Sequence, residues 1–243
     1  MKKKFYFLTL FFFLTHKGHS FEFKSTPEQV KVIELYSSEG CSSTPPADKW
    51  LSSLRSSKNL WKTFVPLKFQ VDYWNYLGWT DSLSKKEFSK RQRVYQDVGN
   101  ISSVYTPGVL LDGKELRSWR FNYVPKKSEK RVGVLSVSSD DNENLEITFK
   151  PEENPHNLIV HVALLGNNIS HKISSGENSG KTLTHDFVVL EKITYPLKEE
   201  KNIFKATGTI PRPLKNESAR KSIALWVTSG ENPTPLQATG GDI

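Results

Sequence analysis

The hydrophobic pattern of this chain changes in kind near its middle, and that change limits the folds open to it. Up to about Arg120, strand-like and helix-like periods alternate. Val30, Val32, Ile33 and Leu35 form a short apolar run that reads as a buried strand. Pro45 and Pro46 suit a first helical turn, where a missing N–H is no loss. Trp50, Leu51 and Leu54 follow at helical spacing, which predicts a helix from the Cys41–Pro45 region to about Arg55. Val65, Leu67, Phe69 and Val71 alternate as a second strand. Ser84 and Glu87 have capping-box spacing ahead of Phe88, Arg91, Tyr95 and Val98, one face of a helix over about Lys85–Val98. Val109 to Leu111 with Asp112-Gly113 reads as a strand and a hairpin turn.

Beyond about Lys126 no helical period recurs. Apolar alternation comes in short pieces at 132–137, 145–149, 158–164, 187–190, 203–209 and 222–228, separated by Asn, Gly, Ser and Pro. Such spacing predicts an antiparallel, sandwich-like β unit. The polar stretch Tyr123 to Ser128 marks the boundary. The expectation is an α/β domain over residues 28–122 and a β-rich domain over 126–243, the two packing closely.

The N-terminus reads as a targeting segment. Lys2, Lys3 and Lys4 precede an apolar stretch from Phe5 to Thr15, and small residues Gly18 and Ser20 follow. This is the order of a secretory signal peptide over residues 1–20, and the apolar stretch is too short for a membrane span. The expected destination is the periplasm or the exterior. Cleavage removes four lysines and no acid, which halves the formal net charge of +8. Nucleic acid is therefore not an expected partner, and the basic clusters read as solvated faces.

The chain has one cysteine, so it has no intramolecular disulfide. Cys41 falls between a buried strand and the start of a helix. Free backbone N–H groups and the helix dipole at that place favour a thiolate, and the charge of Glu39 opposes one. The plainer reading is a small buried hydrophobe. Tyr105-Thr106-Pro107-Gly108 stands before a buried strand. Pro107 is either a cis proline facing the cysteine or an ordinary strand-initiating proline.

Together these pieces resemble the thioredoxin-like fold, which has a cysteine motif between its first strand and helix and a cis proline opposite. The resemblance is closer to one exported bacterial family, catalogued as domain of unknown function number 1223. It is carried by Glu34-Leu35-Tyr36-Ser37-Ser38-Glu39-Gly40-Cys41-Ser42-Ser43-Thr44-Pro45-Pro46-Ala47-Asp48, by Val71 to Trp79, by Arg91-Gln92-Arg93 with Val104 to Pro107, and by Gly176 to His185. It implies a thioredoxin-like first half and an exported bacterial protein, and little about activity. The family's usual Cys-Ser-Ser-Cys motif ends here in Thr44. Without a second thiol, Cys41 cannot resolve a mixed disulfide by intramolecular attack. Monothiol chemistry remains, with Thr44 as a hydroxyl donor to the thiolate. By resemblance, Thr106 beside Pro107 holds the backbone of an extended substrate.

The aromatic segment offers a binding surface of Tyr73, Trp74, Tyr76 and Trp79, with Asp72 as a proton acceptor for Cys41; its plainer reading is a packed cap over the core. Gly176 to Thr182 has the wrong spacing for a phosphate loop and reads as a loop with turn glycines. The mature histidines lack metal-ligand spacing, so neither metal nor cofactor is expected. Two functions follow. One is monothiol redox chemistry on an extended peptide or a protein thiol or disulfide. The other is a non-catalytic binding module with a degenerate redox site, using residues 73–79 and the β unit.

Overall fold

The computed structural model describes residues 20–141, 143–153, 155–213, 218 and 220–243. The expected leader lies outside the described residues, apart from Ser20. The first half contains β1 (Phe21–Lys24), β2 (Lys31–Ser37), α1 (Pro45–Ser53), β3 (Phe64–Gln70), α2 (Lys86–Asp97), β4 (Gly108–Leu111) and β5 (Lys114–Glu115). The second contains β6 (Gly133–Ser139), β7 (Asn144–Pro151), β8 (Leu158–Asn167), β9 (Ile169–Lys172), β10 (Thr182–His185) and β11 (Val188–Pro196). It ends with β12 (Lys198–Glu200), β13 (Ile203–Thr209), β14 (Arg220–Ser229) and β15 (Asn232–Asp242).

The expected thioredoxin-like α/β domain followed by an antiparallel sandwich is corrected by the sheet topology. Strand accounts for 46% of the structure and helix for 14%, the helix in two α-helices and three short 3-10 turns among the described residues. One eight-stranded sheet, in the order β15-β14-β8-β11-β3-β2-β4-β5, takes strands from both halves. The joint is at β3, which is parallel to β2 on one side and meets β11 on the other through Val188 opposite Lys68. The physical reason lies in β3 itself. All seven of its residues are buried, which requires neighbours on both faces and both edges. Two short helices cannot supply that cover.

A second sheet, in the order β1-β6-β7-β13-β12, packs on one face of the first. Side-chain alternation sets the faces. In β8, Val160 and Val162 join Leu135, Ile147 and Phe149 between the sheets. Ala163 and Leu165 point the other way, into the core shared with Phe69, Phe88 and Trp226. β14 repeats the pattern, with Ile223, Leu225 and Val227 on one face and Ala224 and Trp226 on the other. Each fully buried aliphatic or Phe side chain contributes roughly 1.5–3 kcal/mol against the exposed state.

Pro45 does stand at the start of α1, and Trp50, Leu51 and Leu54 pack inward from α1 and the 3-10 turn that follows it. α2 buries Phe88, Gln92 and Tyr95 at helical spacing. The capping box expected at Ser84 and Glu87 does not form. Lys85 holds the cap position without a side-chain bond, and the Ser84 hydroxyl donates to the Asp81 carbonyl instead. No helix among the described residues is long and apolar enough to cross a membrane.

Candidate functional site

Cys41 lies in the turn that carries the chain from β2 to α1. Its N–H donates to the Ser38 carbonyl at 3.2 Å, and the Thr44 N–H closes the turn on the Cys41 carbonyl at 3.3 Å. The Thr44 hydroxyl is within 2.9 Å of both the Ser38 and Cys41 carbonyls, and its single proton serves one at a time. The hydroxyl at the sulfur belongs to Ser43, with Oγ 3.1 Å from Sγ. Across the turn, the Thr106 carbonyl is 3.9 Å from Sγ and 3.4 Å from Ser43 Oγ, and the Thr106–Pro107 peptide is cis. Ser43 can therefore donate to the carbonyl beside a neutral thiol and turn to the sulfur beside a thiolate.

Cys41 is only 4% exposed. Its neighbours Ser43, Thr106 and Pro107 open onto a groove of about 530 Å³ that continues over Pro46, Trp50 and Trp119. The Thr106 hydroxyl is buried and has no hydrogen-bond partner among the described residues. Gln92 of α2 holds the groove wall, its Nε2 donating to the Tyr105 carbonyl at 2.8 Å. Its Oε1 accepts from the Tyr73 hydroxyl at 3.0 Å. Burial first, then the neighbouring Cys41 charge, pushes the Tyr73 phenol above its ordinary range, so it stays a donor.

The aromatic segment closes over the cysteine turn. Trp74 lies against Gly40, where a Cβ would stand 3.2 Å from the Trp74 carbonyl oxygen. Trp79 Nε1 donates to Glu39 Oε2 at 2.8 Å. Tyr76, by contrast, is 78% exposed. Asp72 is not brought to Cys41: its carboxylate accepts the Ser89 hydroxyl at the start of α2. Of the residues singled out from the sequence, Cys41 meets Thr106 beside Pro107, and Thr44 bonds within the cysteine turn. Trp74 and Trp79 pack on that turn at Gly40 and Glu39, Tyr73 bonds Gln92, and Asp72 stands apart.

A cluster of buried charges, not foreseen from the sequence, lies behind the turn. Glu39 Oε1 accepts from His171 Nδ1 at 2.7 Å and from His185 Nε2 at 3.0 Å. Lys68 Nζ is 2.5 Å from His185 Nδ1 and 2.9 Å from Asp48 Oδ1. The His185 Nε2–H donates to Glu39, while Nδ1 faces both Lys68 Nζ and, at 3.3 Å, Asp48 Oδ2, so its role as acceptor or donor follows the ring's protonation. The Asp81 carboxylate accepts the Glu39 N–H at 3.1 Å. Burial resists ionisation of Glu39, but bonds from His171, His185 and Trp79 win and hold its carboxyl far below the usual range. Asp48 is also lowered, the Lys68 charge overcoming burial. Asp81 goes the other way, pushed up to about 6 by burial and by the charge of Glu39.

The hairpin β9–β10 brings both histidines, and its loop clamps the cysteine turn. Gly176 and Gly180 have φ of +76° and +82°, which a side chain would strain. The loop they shape presents Asn178, whose buried amide donates to the Glu39 and Cys41 carbonyls at 2.9 and 3.0 Å. Glu177 accepts the Ser42 N–H at 2.9 Å, and Lys181 fixes Asn178 Oδ1 at 2.8 Å. The sequence signal was the Gly176–His185 motif itself, which reads as a turn and acts as a clasp. No group of three or more acidic, His or Cys side chains among the described residues is placed to hold a metal.

A family model described as "Protein of unknown function (DUF1223)" matches residues 32–228, so the chain belongs to that family. Among solved structures, a protein of Agrobacterium tumefaciens determined by X-ray crystallography is similar at 23% identity and a TM-score of 0.59. The match covers 89% of this chain and 94% of that one. HBP35 of Porphyromonas gingivalis is similar at 12% identity and a TM-score of 0.57, over 89% of this chain and 76% of the other. At these identities the likeness is one of fold. No curated protein matches the chain.

Proposed function

We propose that this family member is an exported monothiol protein that exchanges disulfides through Cys41. The observation that carries the reading is the setting of the sulfur: a hydroxyl at 3.1 Å, a carbonyl at 3.9 Å, and a groove beginning at both. In the exchange, the Cys41 thiolate attacks one sulfur of a partner disulfide lying in the groove. The partner S–S bond breaks, a mixed disulfide forms on Cys41, and the departing thiolate takes a proton from solvent. Thr44 carries no thiol, so a small external thiol must attack the mixed disulfide and restore Cys41. Ser43 supports the thiolate, and the buried, unpartnered Thr106 hydroxyl is a donor available to the bound segment.

Export is part of the proposal. It is supported by the lysine-led apolar segment, and β1 begins at Phe21, so a cut after Ser20 leaves every described strand intact.

The test is exchange with a disulfide-containing peptide, followed with excess small thiol. The mature protein should react faster than its own urea-unfolded chain. Cys41→Ser should abolish the reaction, and Ser43→Ala should slow it about tenfold, the worth of one hydrogen bond to a charged group. A folded protein no faster than the unfolded chain would sink the proposal.

A further inference from the structure

A second cavity, of about 260 Å³, lies away from the thiol, between α2 and the end of the large sheet. Five elements contribute to it: Arg91 from α2, His161 from β8, Lys192 from β11, Thr228 from β14, and Asn232 with Pro233 from β15. From this convergence we infer that the cavity is a binding site for a small oxyanion, the carboxylate or phosphate group of a small molecule.

Arg91 is fixed before any ligand arrives. Its Nε and Nη2 donate to the two oxygens of Glu34 at 2.8 Å each, and Nη2 also reaches the Tyr95 hydroxyl at 3.1 Å. The rings of Phe69, Tyr95 and Trp226 lie 5.5, 5.4 and 5.2 Å from the guanidinium carbon. Nη1 takes no part in these bonds, and the side chain retains 10% exposure at the cavity it lines. Lys192 is half-buried, and no carboxylate among the described residues stands within ion-pair distance of it. Arg91 is balanced by Glu34, but the half-buried Lys192 ammonium has no ion-pair partner of its own among the described residues, and an anion lodged between the two cations would supply one.

The other groups agree. His161 stacks flat on Trp226 at 4.9 Å, and its Nε2 is 2.9 Å from the Thr228 hydroxyl. Burial first, then Arg91 and Lys192, push His161 well below its ordinary range, so the ring is a neutral dipole. The Lys192 ammonium is lowered by burial and then by Arg91. His161 and Lys192 both register the Arg91 charge, while Glu87, Glu191 and Glu34 act the other way on Lys192. Carboxylates also face the cavity, but Glu87 and Glu231 are exposed. Glu34 is bound to Arg91, and Glu191 is paired with Lys85 at 2.6 Å. Exposed acids around a cationic interior repel an extended polyanion and admit a small one.

The inference stands apart from the thiol reading. The mature protein is titrated with inorganic phosphate and, separately, with succinate, against chloride at equal ionic strength. Thermal unfolding should rise saturably with at least one of the two anions. The responding anion tells a phosphate-bearing ligand from a carboxylate-bearing one. Lys192→Met keeps the packing of the stem and removes the charge. It should weaken binding at least about tenfold, the loss of one charged hydrogen bond. Without anion it should unfold no earlier than the parent, because a like-charge contact is gone. Lys198→Met on exposed β12 and Cys41→Ser should both bind as the parent does. Absence of a response beyond chloride with both anions, or an equal response in Lys192→Met, overturns the assignment.

Discussion

Two carboxylates on the same stretch of chain, Glu34 and Glu39, are both buried, and their settings teach different things. Glu34 meets one fixed cation, Arg91, through two parallel bonds, and the hydroxyls of Tyr36 and Tyr95 fill the rest of its capacity. The charges balance and the joint is rigid. Glu39 meets two imidazoles and an indole, and shares its surroundings with Asp48, Asp81 and Lys68. Carboxylates outnumber permanent cations there. The Glu34 joint ties α2 to the sheet, while the charge of the Glu39 cluster changes with pH. That cluster is the one attached to the cysteine turn.

The sharpest way to break this contrast is to remove Glu34. Glu34→Ala leaves the Arg91 charge buried and unpaired and should cost about 3–5 kcal/mol in urea unfolding, with little change in that loss between neutral and mildly acidic buffer. A loss below about 1 kcal/mol would mean the joint is ornamental.

The second prediction concerns pH and Asp81. Its folded pKa of about 6 lies above its ordinary value of 3.8, so the native state holds the proton more tightly than the unfolded chain. The stability it contributes is complete below the unfolded value and is lost as pH rises through about 6, on the order of 2–3 kcal/mol. Glu39 and Asp48 have the opposite sign. Their contribution is present above the unfolded carboxylate range and is lost as pH falls through their lowered values. Asp81→Asn should therefore remove a decline in stability between pH 4 and 6. Asp112, pushed up to about 6 mainly by burial, is common to both proteins. Parallel stability curves for parent and variant would contradict this account of the cluster.

Asn178→Ala should come next, costing roughly 1–3 kcal/mol because two buried carbonyls lose their donor. Alkylation of Cys41 by a small reagent should also speed up. A variant that loses stability without any change in alkylation would detach the clasp from the thiol. Trp79→Phe is the mildest change. It takes one indole donor from Glu39, should cost about 1 kcal/mol, and should flatten the loss of stability in acid, because the folded pKa of Glu39 moves back toward its unfolded value. The pH profile, more than the midpoint, is the measurement there.

Much of the local structure was legible. Pro45, Trp50 and Leu51 announced α1, and Asp112-Gly113 announced the β4–β5 hairpin. The shared sheet was not legible, because its joint at β3 rests on a single register pair between residues far apart in sequence. β15 was hidden by its own composition: Pro233, Pro235, Gly240 and Gly241 break up any apolar alternation, yet the strand lies at the sheet edge, where proline is tolerated. At the site, the place of Cys41 between a strand and a helix could be read from local signals, while two readings of Pro107 stood side by side until the fold brought Thr106 and the cis peptide across the turn. The hydroxyl on the sulfur could not, since Ser43 and Thr44 differ only in which way a turn directs them. Nor could the Glu39 cluster, because His171 and His185 acquire their role only when β9 and β10 pair.

The clasp at 174–181 also fixes an order of events. Asn178 lies 137 residues downstream of Cys41, and synthesis delivers the cysteine long before it. Until the hairpin arrives, the turn lacks the two amide bonds from Asn178 and the Glu177 acceptor that hold its backbone. A chain halted or cut between its halves therefore carries an unguarded sulfhydryl, open to oxidation before any partner reaches it. The later strands act as custodians of the earliest reactive atom, and only a finished chain has a finished site.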